Sequence, residues 1–230
     1  MKLIFPYGYI SYQDAMKWFD DIGKKDIDEK LFILEHKNVY TAGKSVDFTS
    51  NVNSTIKGIE AIATQRGGLW TWHGKGQVVV YFIYNLRKHN SNLSDFLKNV
   101  EMATLLCVKD EWNKICNKQF KDDDVEFFSD NKKRGFWVRY MDFQTNIKKM
   151  AKFGFIGLRV SKGIVYHGIS VNYNNDLQFF KYINPCGLGN VEITSIENIA
   201  QRTIKNISLD INNFKQNLGN RLLQTLNEKE

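Results

Sequence analysis

Apolar runs separated by polar and glycine-rich segments predict many short strands along this chain. Residues 31–34, 77–84, 155–160 and 164–172 are rich in β-branched, aromatic and other apolar residues, which favours strands. The run at 77–84 has little polar alternation, so we expect it to be covered on both faces. Ser161-Lys162-Gly163 separates the last two runs and predicts a hairpin turn between them.

Helices are predicted where a capping residue precedes apolar residues at helical spacing. Ser11 and Asp14 predict the start of a first helix, and Ser94 and Asp95 that of a second. The chain is expected to become helical again after Cys186 and to end in an amphipathic helix. The predicted apolar faces are Ala15, Phe19 and Ile22; Phe96, Val100, Ala103 and Cys107; and Ile211, Phe214, Leu218 and Leu222.

Together these elements predict an α+β fold of mixed β-sheets flanked by helices. We expect residues 1–230 to form a single catalytic domain, with a small C-terminal lobe from about residue 192 as the alternative division. Hydrophobic residues make up 43% of the chain and aromatic residues 13%, which excludes the disordered class. The apolar runs are too short for a membrane span and the first residues do not form a signal peptide, so we expect a cytoplasmic protein without membrane partners.

The net charge of +7 favours acidic partners. The lysines are spread along the chain instead of forming basic runs, so nothing points specifically to nucleic acid. An acidic protein fits the charge equally well. Residues 121–124 and 129–134 are predicted to be solvated loops on either side of a short edge element.

One of the three cysteines has neighbours that shape the backbone. Cys107 lies on a predicted apolar helix face and Cys116 near the end of that helix, so both are interpreted as buried and structural. Cys186 lies in Pro185-Cys186-Gly187-Leu188-Gly189, where proline and glycine favour a tight turn that directs the thiol into a cleft. There is no CxxC pair, so neither a disulfide framework nor a zinc ribbon is expected. The turn indicates covalent acyl chemistry at Cys186.

A nucleophilic thiol needs a base or cation beside it. His73 and His167 each precede a glycine, which suggests a cleft wall, whereas His89 is interpreted as loop surface. Lys152 begins an apolar run, where partial burial would suit a base; a solvated side chain is equally compatible with its context.

Two glycine-containing blocks, Arg66-Gly67-Gly68 and His73-Gly74-Lys75-Gly76-Gln77, are either simple turns or cradles of backbone N–H groups. Their spacing matches neither a Walker A motif nor a dinucleotide fingerprint, so no nucleotide cofactor is indicated. His36, His73, His167 and Cys186 follow no zinc-ligand spacing, and no metal is expected.

These blocks resemble the lipoyl(octanoyl) transferases, the octanoyl-[acyl-carrier-protein]:protein N-octanoyltransferases of lipoate biosynthesis. The resemblance covers most of the chain, from Leu34 to Ile196. Its motifs are Arg66-Gly67-Gly68 followed by His73-Gly74-Lys75-Gly76-Gln77, Lys152 ahead of Ile156-Gly157-Leu158-Arg159-Val160, His167-Gly168 with Asn172, and Pro185-Cys186-Gly187. The chain departs from the family at Trp72, where tyrosine is usual, and at Lys75, where proline is usual. Residues 140–150 also form a longer segment, which suggests an extended hairpin.

The resemblance implies a biotin/lipoate-protein ligase-like catalytic domain. It implies octanoyl transfer from acyl carrier protein to a lysine of lipoyl domains, in 2-oxoacid dehydrogenase E2 subunits and the glycine cleavage H protein. Cys186 would carry the acyl group as a thioester and Lys152 would act as the base, with no cofactor. The implied substrate-binding residues are Arg66, Gly67, Gly68, His73, Gly74, Gly76, Gln77, Gly154, Ile156, Gly157, His167 and Gly168. Tyr81, Phe155 and Ile169 are expected to line the acyl tunnel.

Three other functions are compatible with parts of the sequence. An ATP-dependent lipoate- or biotin-protein ligase would use Lys152 but not a nucleophilic cysteine. A hydrolase would pair Cys186 with His73 or His167 and release the free acid. A basic binding module would need neither Lys152 nor Cys186.

Overall fold

The computed structural model describes residues 1–22, 27–46, 54–116, 125–130, 132–185, 191–203 and 207–228. Twelve strands occur in these residues and form a large and a small sheet. Their bounds are β1 (Lys2–Ile4), β2 (Tyr9–Ile10), β3 (Lys30–His36), β4 (Val39–Ala42), β5 (Ser54–Ile56), β6 (Ile59–Ala63), β7 (Trp70–His73), β8 (Gln77–Asn85), β9 (Val125–Ser129), β10 (Phe136–Asp142), β11 (Ile147–Ser161) and β12 (Ile164–Asn172).

The large sheet has the order β1-β3-β8-β12-β11-β10-β9, with β2 added beside β3. Strands β1 and β2 run parallel to β3, and the pairs from β3 to β9 are antiparallel. The small sheet has the order β5-β6-β4-β7, in which β4 and β6 are parallel. With the helices added, the mixed sheets confirm the predicted α+β class.

Helices cover the large sheet. The helix bounds are α1 (Tyr12–Met16), α2 (Leu93–Ile115), α3 (Ile196–Thr203) and α4 (Ile211–Asn227). On one face, α2 and α4 pack together over a core that includes Val80, Phe96 and Leu218. On the other face, Phe19 packs with Val79 in a second core. Strand β8 therefore contributes to both cores, as its sequence predicts, and the helices after residue 192 share the larger one.

The N-terminus of α1 lies where the sequence predicts it, whereas the N-terminus of α2 differs from the prediction. Helix α1 begins after Ser11, whose hydroxyl accepts a hydrogen bond from the backbone N–H of Asp14, as predicted. It ends after five residues, and a 3-10 turn follows (Lys17–Phe19). Helix α2 begins one residue before Ser94, because the Asn92 side chain accepts from the Asp95 N–H and provides the cap.

Two other boundaries bear on the site. Strand β11 begins at Ile147 rather than near Lys152, which therefore lies well inside the strand. Residues 140–150 form the predicted hairpin, with a turn at 143–146 between β10 and β11. The predicted hairpin turn after Ser161 joins β11 to β12, as expected. The predicted loop at 121–124 lies outside the described residues. Among the described helices, none is long and apolar enough to cross a membrane.

Candidate active site

A cavity of about 510 Å³ surrounds the part of β11 that extends beyond the end of β10. Its walls include β11 residues from Lys152 to Val160, eight positions apart and so about 26 Å along the strand. The volume is in the usual range for a small-molecule site. Nine of the residues implied as functional by the sequence line it: Arg66, Gly67, Gly68, His73, Lys152, Ile156, Gly157, His167 and Gly168.

At two positions in the cavity wall, glycine leaves the sheet without a side chain. Gly157 and Gly168 are directly paired between β11 and β12. A Cβ at Gly168 would lie 1.6 Å from the Val80 carbonyl oxygen, and one at Gly157 would lie 3.2 Å from Cδ of Arg66. Larger residues would therefore collide with the neighbouring strand or with Arg66. Glycine at these positions therefore lets Val80 and Arg66 approach the two strands closely at the cavity wall.

Apolar side chains line much of the remaining wall. They include Tyr81, Phe155 and Ile169, the residues expected to line a tunnel, together with Leu93 and Leu97 from α2. Burial of a methylene group contributes about 0.8 kcal/mol. This wall can therefore hold an unbranched alkyl chain.

Lys152 is held in a buried position at one end of the cavity. Only 1% of the residue is exposed, and its Nζ donates a hydrogen bond of 2.7 Å to the Arg134 carbonyl oxygen. Nζ also lies 5.3 Å from the Trp137 ring centre and 5.1 Å from that of Phe155, so two aromatic faces border it. Gly135 allows this arrangement, since a Cβ there would lie 2.4 Å from Cε of Lys152.

His167 reaches the cavity through an unusual backbone conformation. Its φ is +59°, which is uncommon for a residue with a side chain. Neighbouring side chains on a strand normally point to opposite faces, yet the rings of Tyr166 and His167 both contact Phe19, at 5.6 and 5.2 Å. The left-handed residue thus turns the imidazole to the same face as Tyr166. Such strain tends to occur at functional sites.

A hydrogen-bond network fixes the protonation of His73. Gln77 donates through Nε2 to the Trp72 carbonyl oxygen (3.1 Å) and to Oδ1 of Asn172 (2.8 Å). Its Oε1 therefore faces Nδ1 of His73 at 2.6 Å. Because this oxygen can only accept, Nδ1 carries the proton and Nε2 keeps its lone pair. The network fixes the Nδ1–H tautomer, and burial holds the pKa of His73 well below its usual value, so Nε2 can accept a hydrogen bond.

The same network reaches the strand that carries Lys152. Asn172 donates to the Thr194 carbonyl oxygen at 3.0 Å. The Thr194 N–H in turn donates to the Lys152 carbonyl oxygen at 2.9 Å. His73 and Lys152 are therefore positioned by one continuous set of hydrogen bonds.

Three histidines of this region are neutral near pH 7. Burial lowers the pKa of His36 to about 4 and that of His167 to about 3, in the latter case with a contribution from the Arg66 charge. Burial, and next the nearby His36, hold the pKa of His73 well below its usual value. His36 donates from Nδ1 to the Ile10 carbonyl oxygen and accepts from the Tyr81 hydroxyl, both at 2.8 Å.

Arg66 holds a loop in place. Its guanidinium donates to the Thr41 carbonyl oxygen and hydroxyl, and to the carbonyl oxygens of Gly67 and Leu69. These bonds tie the Gly67-Gly68 turn to β4. Gly43 of the neighbouring chain segment lies so close that a Cβ there would be 2.1 Å from the Gly68 oxygen. Arg66 therefore shapes the cavity wall chiefly by fixing this turn.

Four of the implied substrate-binding residues are not among the described residues that line this cavity: Gly74, Gly76, Gln77 and Gly154. Gln77 instead supports His73. Gly74 packs against Trp72 and Asn38, and Gly76, with φ +83°, lies against Asn174 and Asn175. Gly154 lies beside Phe136. Their close surroundings indicate structural rather than contact roles.

Cys186 lies outside the described residues, but both flanks of its segment are anchored at the cavity. Pro185 forms a bridge with Trp70, which lines the cavity. On the far side of the segment, Ile193 forms a bridge with Lys152, and the Lys152 N–H donates to the Glu192 carbonyl oxygen at 2.8 Å.

Sequence reasoning gave no role to several residues near the site. His36 ends the buried strand β3. Its place at the end of an apolar run in the sequence could have indicated a buried histidine. Lys132, Lys133 and Arg134 also line the cavity, although their sequence indicated only a solvated loop. His89 lies in a loop, as interpreted, but its side chain is partly buried and contacts the buried Glu29 carboxylate at 2.9 Å.

Cys107 and Cys116 are buried, as predicted. Burial raises the pKa of the Cys107 thiol to about 12 and that of Cys116 to about 11, so both remain protonated and unreactive near neutral pH. Within the described part of the chain, no group of three or more His, Cys, Asp or Glu side chains could hold a metal ion.

Solved structures share this fold at low sequence identity. The crystal structure of a lipoate-protein ligase A bound with ATP superposes with a TM-score of 0.64 at 10% identity, covering 98% of this chain and 86% of that one. A bipartite lipoate protein ligase from Thermoplasma acidophilum gives 0.59 at 11% identity, covering 98% and 83%.

Sequence comparison gives closer relatives. The octanoyltransferase of Rickettsia bellii (strain OSU 85-389) is 34% identical over 195 residues, which cover 83% of this chain and 85% of that protein. The octanoyltransferase of Corynebacterium glutamicum (strain R) is 30% identical over 201 residues, covering 86% and 72%. The family model described as the lipoyl protein ligase A/B catalytic domain matches residues 10–222. This chain therefore belongs to the lipoyl protein ligase A/B catalytic domain family.

Proposed function

We propose that this chain is a cytoplasmic octanoyltransferase of lipoate biosynthesis, and that residues 1–230 form one catalytic domain. It would transfer the octanoyl group from acyl carrier protein to a lysine of a lipoyl domain, through a thioester on Cys186. The observation that carries this proposal is one cavity lined by Lys152, His73 and His167 together with an apolar wall. The octanoyltransferase names of the relatives support the choice of acyl group.

In the first half-reaction, Lys152 would take the proton of the Cys186 thiol, and the thiolate would attack the thioester carbonyl carbon of the donor. The tetrahedral intermediate then expels the carrier thiolate, which receives the proton from Lys152. One thioester is broken and one is formed, so the step needs no ATP. The acyl chain would lie along Tyr81, Phe155 and Ile169.

In the second half-reaction, the amine of the acceptor lysine would attack the Cys186 thioester. Lys152 would accept the proton that the amine loses and return it to the departing Cys186 thiolate. The product is an amide, whose stability drives the transfer. The neutral Nε2 of His73 would accept a hydrogen bond within the cavity and orient a reacting group.

The described residues that flank Cys186 support these roles. The segment follows Pro185, which pairs with Trp70, and precedes Ile193, which pairs with Lys152. Trp70 and Lys152 both line the cavity. The described residues on both sides of Cys186 therefore contact residues that line the cavity.

Intact-protein mass measured after mixing with octanoyl-acyl carrier protein tests this proposal. We expect a hydroxylamine-labile octanoyl adduct on the native protein and on Cys116→Ala, a matched control with a buried cysteine elsewhere. Cys186→Ala should form no adduct. Modification of a lipoyl domain only when ATP is supplied, without an adduct, would instead identify a ligase. Release of free octanoic acid without an acceptor would identify a hydrolase.

A further inference from the structure

Three consecutive basic residues line the opening of the cavity beside Lys152. Lys132, Lys133 and Arg134 are exposed and are called the basic rim below. Their sequence predicted only a solvated loop, and neither half-reaction above uses their side chains.

The backbone of the basic rim is held firmly. The N–H groups of Lys132 and Lys133 donate to Oδ1 of Asp130 at 2.8 and 2.9 Å. The Lys133 carbonyl oxygen accepts from the Trp137 indole at 2.9 Å, and the Arg134 carbonyl oxygen accepts from Lys152. The main chain is therefore fixed, while the three cationic residues stay exposed, with Lys133 Nζ 5.9 Å from the Trp137 ring centre.

The three cationic side chains of the basic rim outnumber the two carboxylates, Asp130 and Glu101, that interact with them. Asp130 faces the loop from the preceding strand end, and Glu101 of α2 interacts with Arg134. Asp130 accepts hydrogen bonds from the rim's own backbone, so it belongs to the loop. Arg159, farther along the cavity wall, donates to Gln65 and adds a further positive charge. An acidic surface is the complementary partner.

The acceptor lysine side chain is shorter than the arm that bears the acyl group on the carrier protein. This difference favours the acceptor as the partner that approaches the basic rim. An extended lysine side chain spans only about 6 Å, so the acceptor backbone must come that close to the reacting thioester. Acyl groups on a carrier protein are borne by a flexible arm of roughly 15 Å or more, so the carrier can remain outside. Arg134 contacts Lys152 directly, and Lys132 is only two residues away, a Cα separation of at most about 7 Å.

We infer that the basic rim docks the acidic surface around the target lysine of the acceptor domain. This inference rests on the proposed function, because it takes Lys152 to mark the reacting centre. The acceptor lysine enters beside the rim, and carboxylates near it pair with Lys132, Lys133 and Arg134. Docking at this loop also brings the acceptor close to the Arg134 carbonyl group, which accepts the hydrogen bond from Lys152.

Charge reversal separates acceptor docking from donor binding. We expect Lys132→Glu/Lys133→Glu to raise the KM for the lipoyl domain about tenfold, with a much smaller change in the rate of acyl-enzyme formation from octanoyl-acyl carrier protein. The acceptor KM of the native protein should rise with salt, and that of the variant should rise less. Lys2→Glu/Lys109→Glu is the matched control, because both lysines are exposed and neither lines the cavity.

A swap of charge on the acceptor makes the test specific. Replacing carboxylates beside the target lysine by lysine should weaken the native enzyme and restore activity with Lys132→Glu/Lys133→Glu. An unchanged acceptor KM in the charge-reversed enzyme would overturn the inference. A selective loss of acyl-enzyme formation would assign the basic rim to the carrier protein instead.

Direct binding keeps this inference separate from the proposed reaction. Titration of unmodified lipoyl domain into the protein, followed by NMR chemical shifts, needs no acyl transfer. Binding that is lost in Lys132→Glu/Lys133→Glu but kept in the control supports docking, even if no Cys186 adduct forms. Binding that is equal in both variants refutes docking, even if the adduct forms.

Discussion

Gly135→Ala tests whether the position of Lys152 matters for the reaction. An added Cβ would lie 2.4 Å from Cε and 2.8 Å from Nζ of Lys152, and 2.7 Å from the Gly154 carbonyl oxygen. Ordinary contacts of a Cβ begin near 3.4 Å, so Cε must retreat by about 1 Å or the loop must move. Gly135 also has φ +139°, a conformation that side chains rarely adopt.

The expected effect has two parts. A misplacement of about 1 Å at a catalytic group can cost about 100-fold in rate, equivalent to about 2.7 kcal/mol of activation free energy. The unfavourable φ should lower the free energy of unfolding by about 1 to 3 kcal/mol. We therefore expect octanoyl transfer at roughly 1% of the native rate from a protein that still folds.

Single-turnover formation of the acyl-enzyme is the assay, with chemical denaturation measured on the same sample. Gly58→Ala is the matched control, because Gly58 has φ +78° but a Cβ there meets no atom within 4 Å. It should lose stability and keep its rate. A folded Gly135→Ala protein with the native rate would refute the assigned role of Lys152, and an equal loss in Gly58→Ala would attribute the effect to general strain.

Two further predictions follow from the buried histidines. Because the pKa values of His36 and His167 lie below the unfolded value near 6.5, the unfolded chain binds more protons below that pH. We expect each to lower the free energy of unfolding by about 1.4 kcal/mol per pH unit as pH falls from about 6 toward 4, measured by denaturation; a flat profile would contradict this. Gln77→Leu should remove the acceptor of the His73 Nδ1 proton and lower kcat about tenfold or more. In the native protein, imidazole ¹⁵N NMR should show the Nδ1–H tautomer of His73. An Nε2–H tautomer in the native protein would contradict the network.

The apolar pattern was sufficient for most of the fold because it records burial directly. The run at 77–84 lies between two cores, and the capping residue Ser11 begins a helix where expected. The boundaries were less certain: Asn92 and Ser94 are both good caps, and only the packed chain selects between them. Likewise, Lys148 and Lys149 interrupt the apolar pattern, so the sequence gave no sign that β11 begins before Lys152.

The sequence also indicated which blocks belong to the site, but it could not separate contact from support. Gln77 and His73 lie in the same motif, yet His73 lines the cavity while Gln77 lies behind it. Which of the two side chains reaches the cavity depends on how side chains alternate between the faces of β7 and β8. It also depends on the position of Asn172 in β12, which binds Gln77. His167 was recognised beside its glycine, but its positive φ is a property of the folded strand.

By itself, the sequence determined the α+β class, the apolar segments of the core and the motifs of the lipoyl protein ligase A/B catalytic domain family, because these depend on residue type and on local spacing. Only the tertiary structure decided that Lys152 is buried against Arg134 and Trp137, and that the basic rim lies at the cavity opening. These are contacts between strands and loops far apart in the chain. Their geometry is set by sheet register and packing, which no local pattern encodes.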